Sequence, residues 1–219
     1  VNNCMLLNSR AEAISFPRGD LRLAFCSSCG FIQNVLFDAE RLEYDGVYEY
    51  SQGFSARFNQ FQAELVQRLV TQYDLKGKSI LEIGCGEGHF LFDLARATGS
   101  KALAMDPVFA PDRIPADLAG QIECIRDLFD ERYTDLSADF IACRNTLEHI
   151  QPVAEFVGTV RKMLGEKREP VVFFEVPDSL RVLNELAFWD IHYEHCSYFS
   201  IGSLARLFRR EGFEVYNLT

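Results

Sequence analysis

The sequence lacks the features of membrane, secreted and nucleic-acid-binding proteins. No apolar run approaches the ~20 residues that a membrane-spanning helix needs, and no signal-peptide pattern opens the chain. Its 22 Lys and Arg residues against 32 Asp and Glu give a net charge of −10, and no basic block is present to neutralise phosphates. We therefore expect a cytoplasmic protein that acts on a small molecule and binds neither membrane nor nucleic acid.

The cysteines do not suit a disulfide framework. They number seven, which is odd, and three of them lie at or near strands that we predict to be buried. Only Cys26 and Cys29, followed by Gly30, have the spacing of metal ligands. Tetrahedral zinc needs four ligands; Cys4 is a candidate third, and nothing in the sequence supplies a fourth convincingly. Half of a zinc knuckle, completed in a longer protein, is the favoured interpretation over unpaired structural thiols or a redox pair.

Apolar strands alternate with amphipathic helices from residue 51 onward. Phe58, Phe61, Leu65, Leu69 and Tyr73 recur at three and four residues and predict one buried helix face. Strands are predicted over 79–83, 101–105, 121–126, 138–143, 171–176 and 213–218, and further helices over 87–97, 152–164 and 202–210. This alternation predicts an α/β fold with a doubly wound, Rossmann-like parallel sheet, helices on both faces and the strand order 3-2-1-4-5-6.

Two parts of the chain are therefore expected. Residues 1–50 form a partial N-terminal cysteine segment, zinc-knuckle-like, with an aromatic lead-in over 44–50. Residues 51–219 form the α/β domain. Val1 is not an initiator Met, and the chain runs off a predicted strand at its end, so we expect a fragment of a longer protein.

A glycine loop follows the first strand of this domain, in the sequence Glu82-Ile83-Gly84-Cys85-Gly86-Glu87-Gly88. Glycines at alternate positions let the backbone turn tightly and lie against a ligand. A dinucleotide fingerprint would place its third glycine at 89, which is His89. The carboxylates of Glu82 and Glu87 would repel a pyrophosphate and suit the ammonium group of an amino acid. The loop therefore favours S-adenosylmethionine (SAM) over NAD.

Two acidic residues end the next strands. Asp106 ends the second strand about 20 residues past the loop, where a carboxylate can accept both ribose hydroxyls. Asp127 ends the third strand, where a carboxylate can accept the adenine amino group. With these residues, the loop resembles the first motif of class I SAM-dependent methyltransferases, and the resemblance extends over about residues 55–219.

The resemblance implies further roles. The loop glycines would contact the methionine part of the cofactor, Asp106 the ribose and Asp127 the adenine. The segment 144–150, which includes Asn145, resembles the stretch that lines the sulfonium and the substrate. His149 lies in this segment, and we expect it to pack against the fold and take no part in chemistry.

A second polar cluster, His192, Tyr193, Glu194 and His195, lies between the fifth strand and the next helix. We favour acid–base chemistry because histidine titrates near working pH and Glu194 could orient it. A structural polar corner is the alternative. A metal site is disfavoured, since His192 and His195 lack helical i,i+4 spacing and a clear third ligand.

The cysteine knuckle, the aromatic lead-in, the SAM fold and the stretch Glu-His-x-Ser-Tyr-Phe-Ser together resemble the sugar C-methyltransferases. This resemblance implies a nucleotide-linked keto-deoxysugar as substrate, with zinc in the longer protein. We predict that His195 removes the proton α to the ketone, that Glu194 orients it, and that His192 or Tyr193 donates a hydrogen bond to the enolate oxygen. The family's commonest pattern places Tyr-His before Glu-His, and this chain has the reverse order. An O- or N-methyltransferase and a non-catalytic SAM-binding module are the alternatives.

Overall fold

The computed structural model describes residues 7–42, 52–166 and 169–219. Its strands are β1 (Leu23–Phe25), β2 (Ile32–Asn34), β3 (Ile80–Ile83), β4 (Ala102–Met105), β5 (Ile122–Ile125), β6 (Phe140–Arg144), β7 (Val171–Glu175) and β8 (Ser197–Tyr198). Its α-helices are α1 (Arg10–Ser15), α2 (Ala56–Gln72), α3 (His89–Thr98), α4 (Val153–Leu164), α5 (Ser179–Glu185) and α6 (Ile201–Arg210). Cys4 and the aromatic stretch 44–50 lie outside the described residues.

The described residues form two compact units. One comprises residues 52–144, 163–166 and 169–174, and contains the large sheet. The other comprises residues 7–42, 145–162 and 175–219, and contains the small sheet. The division into a segment 1–50 and a domain 51–219 stays a prediction.

The large sheet has five strands in the order β5-β4-β3-β6-β7, which confirms the first five positions of the predicted strand order. In the parallel register, Ile83 at the end of β3 pairs with Met105 of β4 and with Cys143 of β6. All four residues of β3 are buried. Because the strands are parallel, their carboxyl ends lie at one edge of the sheet, and the loops that follow them share that edge.

Helix α2 buries one apolar face. Leu65, Val66, Leu69 and Val70 are each at most 7% exposed and join the core of the sheet. The predicted face was right at Leu65 and Leu69 and wrong at Phe61, which is 46% exposed. The buried stripe runs through the two valines because they lie one residue beyond the leucines and share their side of the helix.

Ser55 caps the start of α2, since its side chain accepts a hydrogen bond from the backbone N–H of Phe58 at 3.2 Å. We expect Ser55→Ala to lower the free energy of unfolding by about 1 kcal/mol, because the mutation leaves this N–H without its cap. Denaturant unfolding followed by circular dichroism measures the change. Ser55→Asp, which keeps an acceptor, is the matched control, and equal losses in both variants would contradict the capping role.

The small sheet is antiparallel, in the order β1-β2-β8, and sequence analysis did not predict it. Its strands have three, three and two residues, too few for an alternating pattern to stand out. Asn34 at the end of β2 is fully buried, and its Oδ1 accepts hydrogen bonds from the N–H groups of Arg22 at 3.0 Å and Leu36 at 3.2 Å. The N–H of Asn34 donates to the carbonyl of Cys196 at 2.8 Å, which holds β2 beside the segment before β8.

The predicted sixth strand is wrong. Residues 213–218 form no strand. The Phe213 N–H donates to the carbonyl of Phe208, and the two rings lie 5.3 Å apart. Phe213 therefore packs on the last turn of α6, and its apolar side chain contacts the helix rather than a neighbouring strand.

Helix α5 is a second element that the sequence pattern did not reveal. Asp178 caps it, since its side chain accepts from the N–H of Leu180 at 3.0 Å.

Within the described ranges, none of the helices has both the length and the apolar character that a membrane span requires.

Candidate active site

The glycine loop after β3 has the backbone that its sequence predicts. Gly84, Gly86 and Gly88 have φ angles of 72°, 53° and 84°, a left-handed conformation that costs glycine little and other residues more. A Cβ on Gly88 would lie 2.8 Å from ring carbons of both Phe92 and Phe109. The packing therefore requires a glycine at position 88, and the loop leaves the following helix α3 with its first N–H groups at the carboxyl edge of the sheet.

Asp106, directly after β4, is joined to this loop. Its Oδ2 accepts from the N–H of Gly86 at 2.8 Å, and its Oδ1 accepts from the N–H of Val108 at 2.9 Å. Burial raises the pKa of Asp106, and the two backbone hydrogen bonds oppose that rise. The fold therefore brings together two parts of the predicted cofactor site that lie 20 residues apart in sequence, the loop and the acidic end of β4.

Asp106→Ala is expected to weaken binding of S-adenosylhomocysteine, the demethylated cofactor, because the mutation removes the predicted ribose acceptor and the bond to Gly86. A lost hydrogen bond to a charged group corresponds to about 1.5–3 kcal/mol. Calorimetry measures the change in affinity. Asp117→Ala is the control: this carboxylate is exposed and pairs with Arg96 at 2.7 Å. Unchanged affinity in Asp106→Ala would argue against the ribose role.

The other predicted cofactor residues have these surroundings. Glu82 is 3% exposed within β3. Asp127, which follows β5, accepts from the Tyr133 hydroxyl at 2.6 Å and pairs with Arg132 at 2.8 Å. The Tyr133 hydrogen bond is the main cause that lowers the pKa of Asp127. These carboxylates stay predictions as cofactor ligands.

Asn145 follows β6 and lies in the unit that carries the small sheet. Its φ of 47° is unusual for a residue other than glycine. Its N–H donates to the carbonyl of Glu175 at 2.9 Å. Strained backbone of this kind concentrates at functional sites, and the cofactor role of Asn145 stays a prediction.

A short 3₁₀ turn, Leu147–His149, positions two side chains of a histidine cluster in the same unit. Leu147 anchors the turn and is fully buried. The Cys196 thiol donates to the carbonyl of Glu148 at 3.5 Å, and the Ser197 hydroxyl donates to the carbonyl of Ile150 at 3.0 Å. These bonds fix the segment around residue 195 against the turn.

Three imidazole rings meet there. The ring centroids of His192 and His195 are 3.8 Å apart, and those of His149 and His195 are 4.9 Å apart. Nδ1 of His195 lies 2.9 Å from the carbonyl oxygen of Asp190. A carbonyl only accepts, so Nδ1 carries the proton, and the lone pair of neutral His195 is on Nε2.

Burial sets the protonation states of the cluster. Desolvation lowers the pKa of His149 and of His192 to about 4 and that of His195 to about 3. It raises the pKa of Glu148 to about 8. At pH 7 the three rings are therefore neutral and Glu148 is protonated.

The other two predicted catalytic residues have different surroundings, and only Glu194 contacts one of these rings, whereas the ring of Tyr193 lies 5.5 Å from that of Phe37. Glu194 is fully buried, and its carboxylate is 3.9 Å from Nδ1 of His192. The hydroxyl of Tyr193 accepts from the backbone N–H of Asp38 at 2.9 Å. The roles assigned to Glu194, Tyr193, His192 and His195 stay predictions.

Sequence reasoning missed Asp190 as the partner of His195 and Glu148 as a member of the cluster, and it expected His149 only to pack. The adjacent titratable residues Glu148 and His149 after β6 are visible in the sequence. Their position beside His195, however, depends on tertiary contacts and could not be predicted from it.

The two knuckle cysteines lie on a tight turn. The N–H of Gly30 donates to the carbonyl of Cys26 at 2.8 Å, and the N–H of Cys26 donates to the carbonyl of Phe31 at 2.9 Å. A hydrogen bond from the backbone of Cys29 is the main cause that lowers the pKa of Cys26, which favours the thiolate that zinc binds. Two ligands do not complete a zinc site, so zinc in the longer protein stays a prediction.

Known proteins match both the sequence and the fold. A family model described as a methyltransferase domain matches residues 54–218. The C-methyltransferase NovU of Streptomyces niveus is 29% identical over 184 residues, which are 79% of this chain and 42% of NovU. The chain thus spans less than half the length of that relative.

Among solved structures, 1,6-didemethyltoxoflavin-N1-methyltransferase of Burkholderia thailandensis, with 1,6-didemethyltoxoflavin and S-adenosylhomocysteine bound, aligns with a TM-score of 0.54 at 16% identity, over 75% of this chain and 73% of that one. An O-methyltransferase family protein of the same organism aligns with a TM-score of 0.53 at 18% identity, over 73% and 54%. At these identities the structural likeness shows the fold alone. The family match, covering the glycine loop and every strand of the large sheet, goes further: this chain belongs to the class I SAM-dependent methyltransferases.

Proposed function

We propose that this chain is a C-methyltransferase that methylates the carbon α to a ketone on a nucleotide-linked keto-deoxysugar. The observation that carries the proposal is the group of three neutral imidazoles, in which His195 is buried and holds a lone pair on Nε2. Carbon methylation requires removal of a proton from the substrate, whereas a cofactor site alone would serve any methyl acceptor. The similarity to a C-methyltransferase supports the same reaction type.

The glycine loop and Asp106 suit the cofactor. Three successive left-handed glycines open the backbone to a ligand, and the loop is tied to the carboxylate proposed to hold the ribose. When bound, SAM supplies an electrophilic methyl group on its sulfonium. The protein's own contribution to that step is to position the acceptor carbon.

His195 is the proposed base. The Asp190 carbonyl fixes its ring and its tautomer, so that Nε2 is the atom that takes the proton. Its pKa of about 3 makes it neutral at pH 7 but a weak base in the free chain. The negative charge that develops on the enolate is the counter-charge that stabilises the imidazolium while the proton moves.

His192 is the better supported of the two proposed donors to the enolate oxygen. Its Nδ1 is buried and has no hydrogen-bond partner among the described residues, whereas the Tyr193 hydroxyl already interacts with the backbone of Asp38. An unpaired oxyanion in a site without water is strongly destabilised, so one preorganised donor contributes substantially. Glu194, 3.9 Å from His192, is placed to orient that ring as well as the segment that carries His195.

The position of the transferred methyl group tests the proposal. The chain is incubated with SAM labelled with ¹³C in its methyl group and with a nucleotide-linked keto-deoxysugar, and the product is analysed by NMR. Coupling of the labelled methyl to a ring-carbon neighbour is expected. A methyl group attached to oxygen or nitrogen would contradict C-methylation and would leave the O- or N-methyltransferase alternative.

A further inference from the structure

Glu148, His149 and His195 form a compact group of donors. One side-chain donor atom from each residue lies within 4.8 Å of the other two. Over residues 7–42, 52–166 and 169–219, no other set of three His, Cys, Asp or Glu side chains meets this spacing. All three residues belong to one compact unit.

Two atoms of this group are buried without a partner. Glu148 is only 2% exposed, and its Oε2 has no hydrogen-bond partner among the described residues. The same holds for Nδ1 of His149. Buried polar atoms are nearly always hydrogen-bonded, so two unsatisfied atoms in one cluster point to a ligand that binds there.

The rings are also oriented as metal ligands are. His195 directs Nδ1 at the carbonyl of Asp190, 2.9 Å away, which leaves Nε2 available. His149 makes a hydrogen bond to the backbone of Glu194, which leaves its unpartnered Nδ1 available. Metal-binding histidines characteristically donate the other ring N–H to a carbonyl or carboxylate, which fixes the tautomer and the ring plane.

We propose that Glu148, His149 and His195 bind a divalent transition-metal ion. Metal binding would release the proton of Glu148 to solvent. Two imidazole nitrogens and the resulting carboxylate oxygen form a donor set that zinc and cobalt accept, and three protein ligands leave a fourth position open. The sequence alone gave His192 and His195 no third ligand. The fold forms a different set of three, without His192, by placing the Glu148–His149 turn against His195.

This site goes beyond the proposed methyl transfer. Metal ligation occupies Nε2 of His195, the atom that takes the proton in the proposed reaction, so the metal-bound form and the base form exclude each other. Binding of the metal itself does not depend on the substrate or on SAM. Failure of the metal site and failure of the C-methylation proposal are therefore separate results.

Cobalt titration of the whole chain tests the proposal. Cys26→Ser with Cys29→Ser removes the competing thiol pair, and visible absorption follows Co²⁺ binding. We expect one ion per chain, with ligand-field bands but no sulfur-to-cobalt charge-transfer band. Glu148→Gln and His149→Asn, each in this background, are expected to weaken binding by more than about 10-fold, since losing even an outer-shell partner costs 10–100-fold.

His89→Asn is the matched control. His89 lies 3.1 Å from Glu87 and is an exposed histidine–carboxylate pair in the other unit. We expect this variant to bind Co²⁺ as the background chain does. No bound Co²⁺ in the background chain, or unchanged affinity in both Glu148→Gln and His149→Asn, would overturn the proposal.

A second measurement needs no change to the cluster, so it holds even where a cluster variant fails to fold. Co²⁺ is paramagnetic and shifts the NMR signals of protons near it. In the chain with Cys26→Ser and Cys29→Ser, one equivalent is expected to shift the ring-proton signals of His149 and His195. Unshifted His149 and His195 signals would refute the site.

Discussion

Replacing Gly86 by valine is expected to abolish measurable binding of S-adenosylhomocysteine. Gly86 has a φ of 53°, and its N–H donates to Asp106. A β-branched residue is strained in this conformation by about 1–3 kcal/mol, and we expect its side chain to occupy space that the cofactor needs beside the loop. Since steric exclusion of the cofactor adds to this strain, we expect the dissociation constant to rise by more than about 100-fold, which corresponds to about 2.8 kcal/mol at 1.4 kcal/mol for each tenfold.

Gly99→Val controls for backbone strain. Gly99 ends α3 with a φ of 67°, and a Cβ there would meet nothing within 4 Å. This variant should lose comparable stability and retain cofactor binding, as measured by calorimetry on both proteins. Equal losses of affinity in the two variants would mean that strain, and not the loop's contact with cofactor, accounts for the effect.

His195→Asn is expected to abolish exchange of the substrate's α proton with solvent. In deuterium oxide, with a chelator and without SAM, the wild-type chain should introduce deuterium at the carbon next to the ketone of a keto-deoxysugar nucleotide. Asparagine keeps a polar side chain but cannot accept the proton. General-base catalysis contributes about 10²–10⁴-fold, and the exchange rate should fall by that factor.

Two controls accompany this exchange experiment. His89→Asn removes an exposed histidine from the other unit and should exchange at the normal rate. The His195→Asn chain should bind S-adenosylhomocysteine normally, which separates loss of the base from loss of the fold. Exchange and methylation at the wild-type rate in His195→Asn would rule His195 out as the base.

Periodicity predicted the large sheet well because its strands are continuous and buried. Strands β3 and β6 are buried along their whole length and are apolar except at Glu82 and Arg144, and each is followed by a turn signal, so their positions and the order of five strands could be predicted. Residues 213–218 are apolar enough to predict a strand but form none. An apolar segment predicts burial, and whether it pairs with a strand or packs on a helix depends on its neighbours.

The small sheet could not be predicted for a related reason. Its strands are two or three residues long, and their pairing joins residue 33 with residue 197. Such pairing depends on contacts between residues far apart in sequence. The buried Asn34, for instance, accepts a hydrogen bond from the N–H of Arg22 and donates one to the carbonyl of Cys196. A local sequence pattern carries no information about these long-range contacts.

The sequence by itself determined the glycine loop and the acidic residue that meets it, because both depend on local backbone geometry and on parallel strands that end at one edge. It also identified the segment 192–195 as chemically capable. Only the tertiary structure decided which groups act together there. It set the Asp190 carbonyl on His195 and placed Glu148 and His149 beside that ring. It also buried Glu148 and His195, and this burial, which no sequence pattern specifies, shifts their pKa values.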